Sequence, residues 1–382
     1  MLDRIDAGLA SGSIEVILPD GTIRMLGGRA PGPNVHVTIH RWRALLRLAS
    51  SGSVGWYEAW AAGEWSSPDP VPLFDLFMRN RGTLGQVGRA GGVFRLAQRF
   101  RHALRRNNRT GARRNVIEHY DLGNEFYAQW LDPTMTYSSA LFAEADFTEP
   151  LQGGQQRKVD AILDRLALSP GQTMVEIGCG WGGLLGAAAK RGIVATGLTL
   201  SPSQKRFGDQ KLAGAATIAL LDYRDLKGTY DGIASVEMVE AVGQKYWPDF
   251  LDTIADCLKP GGRAAIQFIS IADDIFESYA ASADFIQTFI FPGGMLISES
   301  RFRALAEERG LAWTDQNDFG LHYAETLRRW RSSFDAAVEQ GRLPANFDAK
   351  FVALWRYYLM YCEGGFRGGG IEVSQVTLIK RV

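Results

Sequence analysis

The 382-residue sequence predicts an α/β fold with a doubly wound parallel sheet, together with a smaller N-terminal α+β unit. From about residue 151 onward, short apolar strands alternate with helical segments, a pattern typical of a parallel sheet. The first of these strands leads into residues 178–183, a glycine turn that opens a helix and can cradle a nucleotide-like ligand. Because the chain exceeds the usual size of one domain, two folding units are expected.

Residues 1–95 are predicted to form the N-terminal unit. Residues 14–23 have the pattern of a β-hairpin with Asp20 and Gly21 as its turn, and residues 37–48 have a helical or mixed apolar pattern. An aromatic and apolar stripe follows. Such a stripe is more often core than ligand site, although this many tryptophans and tyrosines also suit a membrane interface. The stripe consists of Trp56, Tyr57, Trp60, Trp65, Leu73, Phe74, Leu76 and Phe77.

A basic linker is predicted at residues 96–114. Two interpretations are open: a solvated connector between domains, or a surface attracted to the anionic headgroups of a membrane. Nucleic acid would need the same charge, but no nucleic-acid motif surrounds the run, and the chain as a whole has a net charge of zero. The arginines concerned are Arg99, Arg101, Arg105, Arg106, Arg109, Arg113 and Arg114.

The C-terminal part is predicted to contain the parallel sheet. Residues 270–298 and 319–370 interrupt its rhythm, and we expect these insertions to build a lid or acyl pocket over the ligand crevice. Residues 371–380 are predicted to form a final hairpin strand at the edge of the sheet. The earlier predicted strands are residues 174–177, 193–198, 217–221, 232–235 and 264–269.

The glycine turn alone does not identify its ligand. A dinucleotide site would normally place an acidic residue at the end of the second strand, but residues 199–204 contain none. The next carboxylate is Asp222, after the third strand. Carboxylates at the ends of the first and third strands, Glu176 and Asp222, suit S-adenosylmethionine better than NAD. A nicotinamide-dependent oxidoreductase and an unused nucleotide site are the weaker alternatives.

Cys179, Cys257 and Cys362 lie far apart without metal-ligand spacing, so they are interpreted as reduced thiols and no metal site is predicted. No apolar run is long enough to cross a bilayer, and the first residues lack the pattern of a signal peptide. We therefore expect a cytoplasmic protein with at most a peripheral grip on the inner face of a membrane.

Several motifs in order resemble those of the cyclopropane-fatty-acyl-phospholipid synthases and their mycolic-acid-modifying relatives. The resemblance covers roughly residues 115–382 and implies a class I S-adenosylmethionine-dependent methyltransferase fold, Rossmann-like with a seven-stranded sheet. The N-terminal unit resembles the lipid-binding domain of the phospholipid-acting members. The motifs are residues 116–124, 131–139, 176–183, 199–204, 222–226, 235–243, 291–294 and 357–367.

The resemblance implies methylene transfer from S-adenosylmethionine to the double bond of an unsaturated acyl chain on a membrane phospholipid. A carbocation forms and a cyclopropane ring closes after loss of a proton. Two alternatives stay open: a methyl- or methylene-branched or methylated polyunsaturated chain without ring closure, and a catalytically silent lipid- or cofactor-binding protein. The family also leaves a homodimer open.

By match of motif, the cofactor would be lined by residues of the strand ends and of the segment before the sheet. These are Tyr137, Ser138, Glu176, Gly178, Gly180, Gly182, Thr199, Gln204, Asp222 and Tyr223.

The family also holds a bicarbonate that acts as the base. Glu240, Ile269 and Tyr323 match its ligands in this sequence, whereas Ser139 and Gln267 replace the family's cysteine and histidine. Serine and glutamine can still hydrogen-bond an anion, but neither titrates near neutral pH. We therefore expect bicarbonate to be retained and no proton relay at residue 267; the other interpretation of Gln267 is a residue that satisfies strand-end hydrogen bonds. Glu240 is expected to be functional because an unpaired buried carboxylate is costly.

Overall fold

The computed structural model describes residues 1–85, 122–143 and 147–382. The basic linker predicted at residues 96–114 lies outside the described residues. Those that are described fall into two compact units. The first contains residues 1–85, 272–292 and 327–371, and the second contains residues 122–143, 147–271, 293–326 and 372–382. Most residues of the two predicted insertions, 270–298 and 319–370, therefore belong to the same unit as the N-terminal residues. The sequence had instead predicted them as part of the C-terminal domain.

Helices occur in both units. In chain order they are α1 (Leu2–Gly8), α2 (Arg43–Ala61), α3 (Val71–Arg79), α4 (Arg81–Leu84), α5 (Asn124–Ala128), α6 (Leu151–Leu166), α7 (Gly183–Lys190), α8 (Pro202–Leu212), α9 (Trp247–Cys257), α10 (Asp273–Ala280), α11 (Phe285–Phe289), α12 (Glu299–Glu308), α13 (Gly320–Glu339) and α14 (Ala349–Arg367). Short 3₁₀ turns are Tyr223–Asp225, Val239–Ala241 and Gln244–Tyr246.

The first unit contains a sheet with the strand order β2-β1-β3-β4. Its strands are β1 (Ser13–Ile17), β2 (Ile23–Gly27), β3 (Asn34–Ile39) and β4 (Trp65–Ser66). The predicted hairpin is confirmed: β1 and β2 pair antiparallel, and Gly21 has a φ of +83° at the turn. The N–H of Thr22 donates to Asp20 Oδ1 over 2.9 Å, a side-chain contact that stabilises such turns.

Aromatic side chains form much of the core of the first unit. Trp56 stacks on Trp65 with ring centroids 4.3 Å apart, and Trp65 is buried. The ring of Tyr357, on α14, contacts those of Phe74 and Phe285 at 5.3 and 4.8 Å. The predicted aromatic stripe therefore supplies core, in agreement with the first interpretation, and residues of the late insertions complete that core.

The second unit is built on a seven-stranded sheet with the order β7-β6-β5-β8-β9-β11-β10. Its strands are β5 (Thr173–Ile177), β6 (Val194–Thr199), β7 (Thr217–Leu220), β8 (Tyr230–Val236), β9 (Leu258–Ile271), β10 (Leu311–Asp318) and β11 (Ile371–Lys380). The five earlier strand predictions are confirmed, and β5 through β9 pair parallel. The strand order reverses beside β5, and ligands of open α/β sheets bind at such a switch point.

The final strand is not at the edge, contrary to the prediction. β11 lies between β9 and β10, and its residues 373–378 are all buried. The edge strand is β10, which pairs antiparallel with β11 and carries the polar sequence expected at an edge. As a result Gln375 is fully buried inside the sheet. Within the described part of the chain, no helix is long and apolar enough to cross a membrane.

Candidate active site

A cavity opens in the second unit at the carboxyl ends of β5, β6 and β8. Nine of the ten residues predicted to line a cofactor line it: Tyr137, Ser138, Glu176, Gly178, Gly180, Thr199, Gln204, Asp222 and Tyr223. Gly182 is the exception. It caps the start of α7 with a φ of +78°, and a Cβ there would lie 3.1 Å from the side chain of Leu212. Gly182 therefore serves the packing of α7.

The glycine turn brings the backbone up to the cavity. Gly178 and Gly180 have φ values of +84° and +51°, a region that other residues rarely adopt. The N–H groups of Gly178 and Cys179 both donate to the carbonyl oxygen of Leu198, which ties the turn to β6. A Cβ on Gly180 would meet nothing within 4 Å. The turn thus leaves open space above its backbone, as a cradle for a bulky ligand requires.

Polar residues at the ends of β6 and β7 are held in fixed positions. Thr199 Oγ1 donates to Gln204 Oε1 over 2.7 Å, and both side chains are buried. After β7, the guanidinium of Arg224 donates to Asp222 Oδ2 over 2.6 Å and to Oδ1 over 2.8 Å. Burial raises the pKa of the neighbouring Tyr223 well above its usual value. These side chains form the rigid, polar rim of the cavity.

Two buried ionisable groups line the cavity near β5. Burial raises the pKa of Glu176 to about 8, and Oε2 of this carboxyl has no hydrogen-bond partner among the described residues. Burial likewise lowers the pKa of Lys158 to about 8, and its ammonium donates to Ser138 Oγ. An orphaned carboxylate is costly unless a ligand supplies a partner. A cationic ligand, such as S-adenosylmethionine, fits this cavity.

Three of the predicted catalytic residues converge on a carboxylate that the sequence analysis missed, Glu237. The N–H of Ser139 and Nε2 of Gln267 donate to Glu237 Oε1 over 2.8 and 2.7 Å. Oη of Tyr323 donates to Oε2 over 2.7 Å. Glu237 also lines the cofactor cavity, and desolvation by the surrounding protein raises its pKa.

Glu240 occupies a different place. Its Oε1 accepts a hydrogen bond from the N–H of Ile269, another residue predicted to hold bicarbonate, and its Oε2 has no partner among the described residues. Burial raises its pKa to about 8, and the charge of Glu237 adds to the effect. Glu240 is not among the residues that line the cofactor cavity. Glu237 and Glu240 are therefore neighbours, but only Glu237 lines the cofactor cavity.

A chain of side chains behind Gln267 fixes the direction of its hydrogen bonds. Nε of Arg165 donates to Gln375 Oε1 over 3.3 Å, and Nε2 of Gln375 donates to Gln267 Oε1 over 3.0 Å. An arginine can only donate, so the amide oxygen of each glutamine accepts a hydrogen bond and its NH₂ group donates to the next residue. Gln267 therefore presents its NH₂ group to Glu237. The sequence pattern does not point to Gln375, because it predicts an edge position for β11.

The chain matches a known family over most of its length. The family model of mycolic acid cyclopropane synthetase matches residues 107–376. A tuberculostearic acid methyltransferase of Mycobacterium tuberculosis is 37% identical over 391 aligned residues, which cover 96% of this chain and 88% of the relative. The cyclopropane-fatty-acyl-phospholipid synthase of Escherichia coli is 33% identical over 347 residues, which cover 88% and 85%.

Solved structures agree in fold. A mycolic acid cyclopropane synthase complexed with SAH and CTAB superposes with a TM-score of 0.65 at 31% identity, over 70% of this chain and 98% of that chain. The predicted methyltransferase fold is therefore confirmed, and S-adenosylmethionine is the cofactor. The chain belongs to the mycolic acid cyclopropane synthetase family and is an S-adenosylmethionine-dependent methyltransferase.

Proposed function

We propose that this enzyme modifies the double bond of unsaturated acyl chains in membrane phospholipids and closes a cyclopropane ring. The observation that carries the proposal is the lining of the cofactor cavity. The carboxyl groups of Glu176 and Glu237 lie among apolar side chains such as Met135, Trp181 and Met238. Such surroundings exclude water and favour positive charge, which is what the alkylation of an alkene develops.

The bound cofactor supplies an electrophilic methyl group. The glycine turn and the rims at Thr199 and Asp222 would hold its nucleoside part, and Glu176 would face its cationic part. An alkene attacks with its own π electrons, so no side chain has to activate a nucleophile. Carboxylates near the new cationic carbon stabilise it, and a base must finally remove a proton from the transferred methyl group.

The N-terminal unit is proposed to bring the enzyme to its substrate. Trp42 and Leu46, one turn apart at the start of α2, are 49% and 68% exposed. Arg41 and Arg43 beside them are exposed as well. An exposed apolar pair flanked by cations suits the interface of an anionic bilayer. The arginines of residues 96–114 would add to that attraction, so we propose peripheral binding to the cytoplasmic face of a membrane.

A second candidate is acyl-chain methylation without ring closure. It is favoured by the relative named a tuberculostearic acid methyltransferase, with which this chain aligns over 96% of its length. The acceptor and the cofactor would be the same. After methyl transfer, a C–H bond of a neighbouring chain carbon would break and its electron pair would form a new double bond, which leaves a methyl branch in place of a ring.

Expression in cells whose phospholipids carry cis double bonds, fed with methyl-deuterated methionine, tests the proposal. A ring product keeps two of the three deuterium atoms, gains one methylene in mass and has no double bond. A deuterated product that retains a double bond would exclude ring formation and support the second candidate. Unlabelled acyl chains, with the protein expressed and folded, would refute both.

A further inference from the structure

We infer that Glu237 is a built-in base of this enzyme and that its carboxylate stands where the family resemblance places bicarbonate. This inference rests on the proposed function and deepens it, because it names the group that accepts the proton of the transferred methyl group. The enzyme would then not need the bicarbonate that the family resemblance implies.

The donor set carries the inference. Ser139, Gln267 and Tyr323 are three of the positions expected to hold bicarbonate, and all three donate to Glu237 over 2.7 to 2.8 Å. Carboxylate and bicarbonate share the same planar pair of oxygens, so one donor set suits either. Bicarbonate does not fit here, since these donors already serve Glu237. A further anion beside the ionised carboxylate of Glu237 would also be repelled.

The backbone conformation of Glu237 also supports a functional role. Its φ of +49° lies in the left-handed region, which costs a residue other than glycine about 1–2 kcal/mol. Its N–H donates to the carbonyl oxygen of Gln267 over 2.8 Å, which holds the strained turn against β9. Strained residues beside ligand cavities are characteristic of functional sites. This backbone conformation places the carboxylate of Glu237 in the wall of the cavity, although glycine would adopt the conformation without strain.

The chain from Arg165 through Gln375 to Gln267 makes this carboxylate an acceptor. Because Arg165 is an obligate donor, Gln267 can only donate to Glu237, and the ionised form of Glu237 is the one these contacts stabilise. The site is thus arranged to keep a base ready in the absence of any bound anion.

The step balances within the proposed reaction. Once the alkene has taken up the methyl group, the acyl chain carries a cationic carbon. A C–H bond of that methyl group breaks, and its electron pair forms the second ring bond to the cationic carbon. The proton moves to the carboxylate of Glu237, which becomes a carboxylic acid and later returns the proton to solvent.

Three proteins test the inference, each assayed in carbonate-free buffer and in buffer with added bicarbonate. The wild type is expected to turn over equally in both. Glu237→Gln should lose at least about 100-fold in turnover in both buffers, because the amide fills the place but cannot accept the proton. Glu237→Gly relaxes the strained backbone and leaves the space of the carboxylate empty. Without bicarbonate this variant should be as inactive as Glu237→Gln, and added bicarbonate should raise its turnover at least tenfold.

Two readouts separate failure of this inference from failure of the proposed function. Calorimetry should show that all three proteins still bind S-adenosylhomocysteine, because the glycine turn and the polar rim at Thr199 and Asp222 are unaltered. Carbon-13-labelled bicarbonate, observed by NMR, should bind Glu237→Gly and not the wild type. A wild type that needs or binds bicarbonate, or Glu237→Gln with full turnover, would overturn the inference. A wild type that binds the cofactor but modifies no acyl chain would overturn the proposed function instead.

Discussion

The side-chain amide of Gln375 donates a hydrogen bond to Gln267 Oε1 over 3.0 Å, inside the central sheet. Gln267 donates onward to Glu237 over 2.7 Å. A residue of the last strand, far along the chain from the cofactor motifs, thereby orients an amide that faces the cavity carboxylate. Orientation of this kind decides whether Gln267 offers an N–H donor or a repelling oxygen.

Gln375→Leu is predicted to lower kcat by roughly tenfold while leaving the affinity for S-adenosylhomocysteine unchanged. Without Gln375, the amide of Gln267 is free to turn, and Glu237 loses a donor that stabilises its ionised form. The pKa of Glu237 then rises, so the acidic limb of the kcat–pH profile moves to higher pH. The matched control is Gln340→Leu, the same change at an exposed position. An unchanged pH profile in Gln375→Leu would argue against this positioning role.

The binding of S-adenosylmethionine is predicted to release a proton at pH 7. The pKa of Glu176 is raised to about 8 by burial, so this carboxyl is largely protonated in the free enzyme at that pH. A cation beside it favours the ionised form and expels the proton, so affinity should rise as the pH increases from about 6 to 8. Lys158, whose pKa is lowered to about 8, loses charge at the top of the same range and acts in the same direction.

Calorimetry in buffers of different ionisation enthalpy measures this release. S-adenosylhomocysteine, whose sulfur is neutral, is expected to release less, and Glu176→Gln should remove most of the difference between the two ligands. Equal proton release by both ligands in the wild type would show that Glu176 does not sense the sulfonium charge.

Gly180 and Gly182 are predicted to respond differently to the same substitution. Alanine at either position meets a left-handed backbone and should cost about 1 kcal/mol of stability. At Gly182 the added Cβ also presses on Leu212, so Gly182→Ala should be the less stable variant. At Gly180 the added Cβ points into open space, so Gly180→Ala should weaken S-adenosylhomocysteine binding more. Denaturant unfolding measures the stability of the two variants, and calorimetry measures their affinity for S-adenosylhomocysteine. If Gly182→Ala weakens binding more than Gly180→Ala does, Gly182 belongs to the cofactor site after all.

The sequence was sufficient to predict those parts of the site that lie at the carboxyl ends of neighbouring parallel strands. Glu176 and Thr199 lie at the carboxyl ends of β5 and β6, Asp222 follows β7, and these parallel strands bring their carboxyl ends together. Their place around one cavity could therefore be predicted from strand order alone.

The choice between two neighbouring carboxyl groups was harder to predict, since Glu237 and Glu240 lie only three residues apart after β8. Which of them faces the cavity depends on the left-handed backbone of Glu237, and no hydrophobic pattern encodes such a conformation. Lys158 was missed because a lysine on an amphipathic helix is normally exposed. Gln375 was missed because an alternating pattern does not distinguish an edge strand from one that returns to the middle of the sheet.

Trp42→Ala combined with Leu46→Ala is predicted to weaken binding to anionic vesicles by at least tenfold. The two side chains are 49% and 68% exposed, and each would lose the free energy of burial in the interface, about 25 cal/mol per Å² of apolar area. The control is Val194→Ala, a similarly exposed apolar residue (58%) at the start of β6. Cosedimentation measures binding, and turnover on a detergent-dispersed substrate should be unchanged, because neither residue belongs to the second unit, which contains the cofactor cavity. If the double variant binds vesicles as well as Val194→Ala does, this face of α2 is not the membrane contact.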